Sequence, residues 1–151
     1  MVGLKKEKTF IEGDKVLLRA FKASDGKFLK QWLSNKEVSF FLEMGFRPYR
    51  DKEVRAFTKK ALNSDSDIIF SVLKKESLEV IGNCGLYDID FISKRGQLNI
   101  IIGDVKSHNN GYGTDTVKTL IKYGFHRLGL NSIQLGLHAE NLKALKAYKK
   151  A

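Results

Sequence analysis

Three strand-like runs follow one another between Asp67 and Asp104, and no other feature restricts the fold of this chain so tightly. "DIIFSVLK", "EVIGNCGLYDID" and "GQLNIIIGD" are rich in β-branched and aromatic residues and are parted only by "KESL" and "FISKR". Connections that short join antiparallel neighbours, so the middle of the chain reads as a meander. Before it, "KVLLRAF" opens as a strand, and Ser24 or Asp25 supplies a helix-start signal ahead of Phe28, Leu29, Trp32 and Leu33 at helical spacing. "SFFLEMGFRPY" is an aromatic-rich connection to a second helix, "DKEVRAFTKKAL", whose Val54, Phe57, Ala61 and Leu62 share one face.

After the meander the period returns to that of a helix. Val117, Leu120, Ile121, Gly124, Phe125 and Leu128 step by three and four in "TDTVKTLIKYGFHRLGL", which Gly129 ends. "SIQLGLH" then alternates Ile133, Leu135 and Leu137 as a strand, and a last helix begins at Asn141. The order is strand, helix, helix, three strands, helix, strand, helix. It predicts an α+β (mixed α/β) fold: one central, mostly antiparallel sheet with helices on both faces and one right-handed crossover. The strands Leu98 to Ile102 and Ile133 to Leu137 should be parallel or splayed apart, framing the loop "HNNGYGTD" between them. At 151 residues, 42% of them apolar, the chain is the size of a single domain over 1–151.

Charge and cysteine count narrow the function. Lys and Arg number 27 against 17 Asp and Glu, a formal charge of +10 that favours anionic partners. The lysines are scattered in pairs, as on solvated faces, and nucleic acid is not expected as a direct partner. A single cysteine, Cys84, excludes an intrachain disulfide and points to a reducing, cytoplasmic setting. No apolar run is long enough for a membrane span. His108, His126 and His138 fall on different elements, so no metal is expected.

The loop itself suggests an anion site. Successive amides leading into a helix N-terminus form a concave donor surface, and glycines at 111 and 113 permit unusual dihedrals and close approach of a phosphate. The plainer alternative is a tight strand-to-helix turn. Spacing excludes two glycine-loop families: a dinucleotide fingerprint needs glycine where Thr116 stands, and no Gly-Lys follows for a nucleotide-triphosphate loop.

What is left resembles the GNAT superfamily of acyl-CoA-dependent N-acyltransferases, whose signature is [Q/R]-x-x-G-x-[G/A] ahead of the central helix. Gly111 and Gly113 match its glycines, with His108 where Gln or Arg is usual. "VIGNCGLYDID", "IIIGD", "GYGTDTVKTLIKYGF" and "ENLKALKAYKK" extend the likeness over nearly the whole chain from Lys15, and it is most similar to the ribosomal-protein N-terminal and spermidine acetyltransferase branch. The resemblance implies acetyl-CoA as co-substrate, with the amides of His108, Asn109, Asn110, Gly111, Tyr112, Gly113 and Thr114 on its pyrophosphate. It implies that the backbone of Ile101 and Ile102, on a strand bulged away from its neighbour, pairs with the pantetheine arm, and that Asn141 contacts the same arm. By itself Asn141 is a helix N-cap. Tyr148 would donate a proton to the departing thiolate, although its spacing alone makes it a packing residue, and the amide of Ile102 would stabilise the oxyanion.

The base stays open. Relatives often carry a glutamate at the position of Gln97, and glutamine accepts no proton; ordered water, Asp88 or Glu43 are the alternatives. Trp32, Phe40, Phe41 and Phe46 line either an acceptor pocket or the core. Because a polycation is repelled by a basic protein, the acceptor is expected to be a protein or peptide α-amine, a ribosomal-protein N-terminus included, rather than a polyamine. The family's last helix is ordinarily followed by Gly-Phe and two further strands, whereas this sequence stops at Ala151: it is truncated, or the natural chain ends early, or another protomer supplies the missing edge, and an uncovered edge strand would favour a homodimer. Two other functions compete: an acyl-CoA-binding regulator of weak catalytic power, and a basic nucleic-acid-binding module.

Overall fold

The computed structural model describes residues 8–40, 42, 47–136 and 141–151, with backbone alone at 142–144 and 147. A six-stranded sheet runs in the order β1 (Ile11–Glu12), β2 (Val16–Ala20), β3 (Ile68–Lys74), β4 (Val80–Asp90), β5 (Arg95–Ile102) and β6 (Ser132–Leu135). Neighbours are antiparallel except β5 and β6, which are parallel. The expected meander is β3, β4 and β5, and the expected crossover joins β5 to β6. Helices α1 (Gly26–Leu33), α2 (Lys36–Ser39) and α3 (Asp51–Asn63) precede the meander; α4 (Tyr112–Lys122) and α5 (Leu142–Lys150) flank β6.

Alternation along the strands divides the core in two. Val16, Leu18, Phe70, Val72, Cys84, Leu86 and Leu98 pack beneath Val117, Leu120 and Tyr123 of α4. On the opposite face α1 and α3 bring Leu29, Trp32, Leu33 and Val54 together, and Phe21, Ile69 and Tyr87 lie under Phe57. Leu18, Leu86, Leu98 and Leu120 are almost wholly removed from water, each contributing about 1.5–3 kcal/mol.

Several details differ from the sequence expectation. β1 and α2 are too short to carry a period, and neither was legible. The α4 helix begins at Tyr112 rather than after the glycine loop, because Gly113 takes helical dihedrals and only Gly111 lies outside. Past Lys122 it widens into a π-turn over Tyr123–Arg127 before Gly129, whose φ of 68° ends it. The bulge expected at Ile101 and Ile102 is not there: β5 keeps one register with β4 from Ile102 to Gln97, and the irregularity falls at the other end, between Tyr87 and Asp90, where Asp88 has a φ of 49°. Leu137, His138, Phe41, Glu43 and Phe46 lie outside the described residues.

One buried ion pair locks β2 to the start of the first helix. Arg19 of β2 donates to both carboxylate oxygens of Asp25, at 2.6 and 3.0 Å, and Ser71 Oγ and the Lys22 amide donate to the same carboxylate. Asp25 therefore holds the start of α1 by a tertiary contact; it does not cap the helix by its side chain. Burial alone raises the Asp25 pKa, but the hydrogen bonds from Arg19, Ser71 and the Lys22 amide, with the Arg19 charge, outweigh it and hold the carboxyl below its usual value. The stability it contributes is complete above the ordinary aspartate range and is lost as pH falls through the lowered native pKa. Asp25→Asn, which leaves the Arg19 charge uncompensated, is expected to lower unfolding free energy by about 3–5 kcal/mol at neutral pH. Equilibrium denaturation of the two proteins measures this.

Candidate active site

The site begins at the end of the described β5–β6 pairing. That pairing runs from Arg95↔Ser132 to Leu98↔Leu135, and among the described residues Asn99–Ile102 pairs with β4 alone. Backbone groups of successive residues in a strand point to opposite edges. The Lys94 carbonyl accepts from Asn131 and Ser132 on the β6 side, whereas the Gly103 amide donates to Ile81 of β4 at 2.8 Å. Even-numbered residues thus face the open edge and odd-numbered ones face β4. Ile102, and with it Ile100, turns its peptide groups to the opening; Ile101 spends its own on β4. Ile100 was not legible as a site residue, because the edge it faces follows from register and not from residue type.

His108 closes the end of that edge. Its Nε2 lies 2.6 Å from the Ile102 carbonyl oxygen, so in the tautomer protonated there it donates to the strand. The histidine that stands at a Gln or Arg position is half-buried and ties the loop to β5. Asn110 Nδ2 donates to the carbonyls of Lys106 and His108, at 3.3 and 3.2 Å, and tightens the same turn. The His108 amide is taken up by Val105 O. Ahead of Asp115, whose amide is bonded to Gly111 O, the amides of Tyr112, Gly113 and Thr114 have no intrahelical acceptor, and no side chain caps them. They leave an outward donor surface at the positive end of α4, from which the His108 amide, expected to belong to it, is withdrawn.

The two glycines serve different purposes. Gly111 has a φ of 82°, a left-handed conformation that L side chains avoid, and a Cβ there would lie 3.0 Å from Lys15 Nζ. Gly113 is helical, and a Cβ would meet only Ile102 Cγ1, at an ordinary 3.8 Å. Neither dihedral nor packing demands glycine at 113. Its lack of a side chain leaves space between the helix start and the β5 edge.

A tertiary clamp that the sequence did not reveal fixes the helix start. Asp115, buried in the first turn of α4, accepts hydrogen bonds from the amides of Asp14, Lys15 and Val16, at 3.2, 2.8 and 3.0 Å. Lys15 in turn donates to Asn110 O at 2.9 Å, which sets an ammonium behind the loop. Tyr112 turns to the same side, its hydroxyl 3.3 Å from Glu76, and Asp14, Lys15, Glu76, Asn110 and Tyr112 line an open hollow of about 370 Å³.

Tyr148 on α5 is half-buried and packs against the core cluster that Ile100, Ile102 and Tyr112 also flank. Burial pushes its pKa upward, so the hydroxyl keeps its proton beyond the ordinary tyrosine value of 10. Asn141 stands immediately before α5, its carbonyl accepting from the Leu145 amide at 3.1 Å. Gln97 is exposed on β5, and Asp88 is exposed at the β4 irregularity with its amide on Asp67. Cys84 is fully buried, and burial pushes its thiol pKa up. Trp32 belongs to the core, while Phe40 is exposed. His126 sits in the π-turn, far along α4 from His108, and no three His, Cys, Asp or Glu side chains gather among the described residues.

Known proteins share this fold. The profile of the Acetyltransferase (GNAT) domain matches residues 15–151. The uncharacterized N-acetyltransferase p20 of Bacillus licheniformis is 30% identical, over 88% of this chain and 75% of that protein. The uncharacterized N-acetyltransferase YnaD of Bacillus subtilis is 22% identical, over 90% of this chain and 77% of its own length. Among solved structures, a GNAT-family acetyltransferase from Bacillus anthracis superimposes with a TM-score of 0.79 at 21% identity, covering 93% of this chain and 81% of that one. Spermidine N-acetyltransferase from Vibrio cholerae, solved with CoA and spermine, gives 0.77 at 23% identity, covering 90% and 79%.

The contrast between the glycines can be measured. Gly111→Ala is expected to lose about 1–2 kcal/mol of stability from its left-handed backbone. Gly113→Ala should be neutral or gain up to about 1 kcal/mol from helix propensity. Denaturant titration of the pair distinguishes them, and equal losses would contradict the geometry.

Proposed function

The chain belongs to the GNAT acetyltransferase family and is an acetyl-transfer enzyme; from that premise we propose that it acetylates the α-amine of a protein or peptide by direct attack on acetyl-CoA. GNAT enzymes use acetyl-CoA. The observation that carries the reading is the continuity of the open β5 edge, at Ile100 and Ile102, with the uncapped amides of Tyr112, Gly113 and Thr114. An extended amide-bearing arm can pair along such an edge as an added strand while its anionic end meets helix-start donors. The slender Gly113 supports this fit, since its side-chain position is the one that would obstruct the passage.

In the proposed reaction the amine nitrogen forms a bond to the thioester carbonyl carbon and gives up a proton to solvent, the carbon–sulfur bond breaks, and the thiolate gains a proton from Tyr148, which solvent then reprotonates. The Ile102 amide, fixed by the His108 contact on the same residue's carbonyl, is the candidate donor to the oxyanion. Tyr148 is the candidate proton donor, and its raised pKa suits a group that must arrive protonated. A thioester is already activated, so alignment carries much of the rate and Gln97 need not act as a base. The formal charge of +10 favours a peptide acceptor, ribosomal-protein N-termini among them, over a polyamine. A reducing, cytoplasmic setting suits the lone buried Cys84, and β6, last in the sheet order with Leu135 exposed, supports self-association.

Calorimetric titration with acetyl-CoA should show saturable binding that Gly113→Glu abolishes, because the new carboxylate would enter the donor surface; binding that survives this change would overturn the reading. Tyr148→Phe should reduce kcat about 100-fold with little change in the KM for acetyl-CoA. Thiol release followed with a panel of peptides and polyamines supplies these constants and identifies the preferred amine.

A further inference from the structure

The helices opposite α4 hold a concentration of cations that acetyl transfer does not use. A concavity of about 500 Å³ opens between α1 and α3, lined by Lys27 and Lys30 of the first and by Arg55 and Lys59 of the second. Lys27 and Lys30 are three residues apart, Arg55 and Lys59 four, so each pair occupies one side of its helix. No carboxylate lines the groove. Lys30 reaches Asp51 at 3.2 Å, but among the described residues Lys27, Arg55 and Lys59 form no ion pair. Like charges gathered around one hollow repel each other, and an anion placed among them relieves that repulsion.

The rest of the lining narrows the ligand. Val54, Gly26, Ala23 and the exposed Leu62 supply an apolar floor, Thr58 and Asn63 supply polar groups, and no aromatic ring is present. Nucleic acid strands hold to proteins through bases stacked on aromatic side chains as well as through phosphates, and this groove offers no platform for them. Aliphatic contacts within a cationic rim suit a polypeptide that carries both carboxylates and apolar side chains.

Position separates the groove from the glycine loop. The adjoining part of α3 packs through Phe57 on Ile69 and Tyr87, at the start of β3 and the end of β4, whereas Lys74, at the other end of β3, lies over Tyr112 beside the loop. The groove, on the α1–α3 side, and the loop, at the start of α4, thus belong to opposite faces of the sheet. We propose that the α1–α3 groove is a docking site for an acidic segment of the polypeptide acceptor, selecting substrates by sequence away from the reacting amine. The role as an acceptor site rests on the peptide reading above; the binding property does not.

Fluorescence anisotropy with a labelled peptide of alternating glutamate and leucine, in the absence of acetyl-CoA, tests binding alone. The peptide should bind, more weakly as salt rises, and an Arg55→Glu/Lys59→Glu protein should bind it at least about tenfold more weakly. Lys118→Glu, on exposed α4, should bind it like the wild type. Equal binding of a glutamine-for-glutamate peptide, indifference to the double change, or tighter binding of a single-stranded oligonucleotide would overturn the proposal. In turnover, an acidic extension on an acceptor peptide should lower its KM about tenfold in the wild type and not in the double variant, with kcat and the KM for acetyl-CoA unchanged. Groove-dependent binding without turnover of any peptide would overturn the peptide-acceptor reading and leave the groove standing. Peptide turnover with neither binding nor acidic preference would overturn the groove alone.

Discussion

Among the described residues, parallel pairing between β5 and β6 ends at Leu98↔Leu135, and the candidate site is organised around that limit. Beyond it four residues of β5 pair, among the described residues, with β4 alone. A released edge presents amides and carbonyls spaced for an extended partner, a hazard in most proteins and here the groundwork of a binding cleft. The unbroken β4 register keeps that edge straight. A bulge at Ile101 or Ile102 would have reversed which peptide groups face outward; the β4–β5 irregularity lies instead at Tyr87 to Asp90, and a second one, between β3 and β4 at Val72/Leu73, leaves the β5 register intact.

Holding the edge in place requires the helix start to be held too. Asp115 collects three amides of the turn between β1 and β2, Lys15 returns to Asn110, and His108 joins the loop to Ile102. The Asp115 and Lys15 contacts join segments about a hundred residues apart, the His108 contact is local, and together they leave the Tyr112, Gly113 and Thr114 amides outward. The carboxylate of Asp115 also sits in the first turn of α4, where negative charge is favoured by the helix dipole. One residue therefore stabilises the helix, anchors the first hairpin and frees the donors that follow Gly111.

The far face follows a different logic. Arg19 and Asp25 bury a hydrogen-bonded ion pair beneath α1, while Lys27, Arg55 and Lys59, beside an Asp51-paired Lys30, present charge at the groove between α1 and α3. Paired charge is structural there, and the remaining charge is the surface proposed for a partner. The positive excess visible in the composition thereby resolves into separate places, one behind the glycine loop and one between the helices.

Much of this was legible in the residues. The runs "DIIFSVLK", "EVIGNCGLYDID" and "GQLNIIIGD" determined the meander because β-branched residues at short spacing have few other folds open to them, and the 3.6-residue period from Val117 to Leu128 determined α4 and its buried face. The glycines marked the loop, since a left-handed Gly111 is a local requirement that sequence records directly. Tertiary structure decided what local pattern does not record: which of Ile100, Ile101 and Ile102 faces the cleft, that His108 folds back on a strand carbonyl six residues earlier, that Asp115 clamps a hairpin, and that two helices bring four cations to one groove. Local pattern encodes backbone preference and burial, whereas strand register and the meeting of remote side chains arise only when the whole sheet is assembled, and so the chemistry of the site was fixed at that later level.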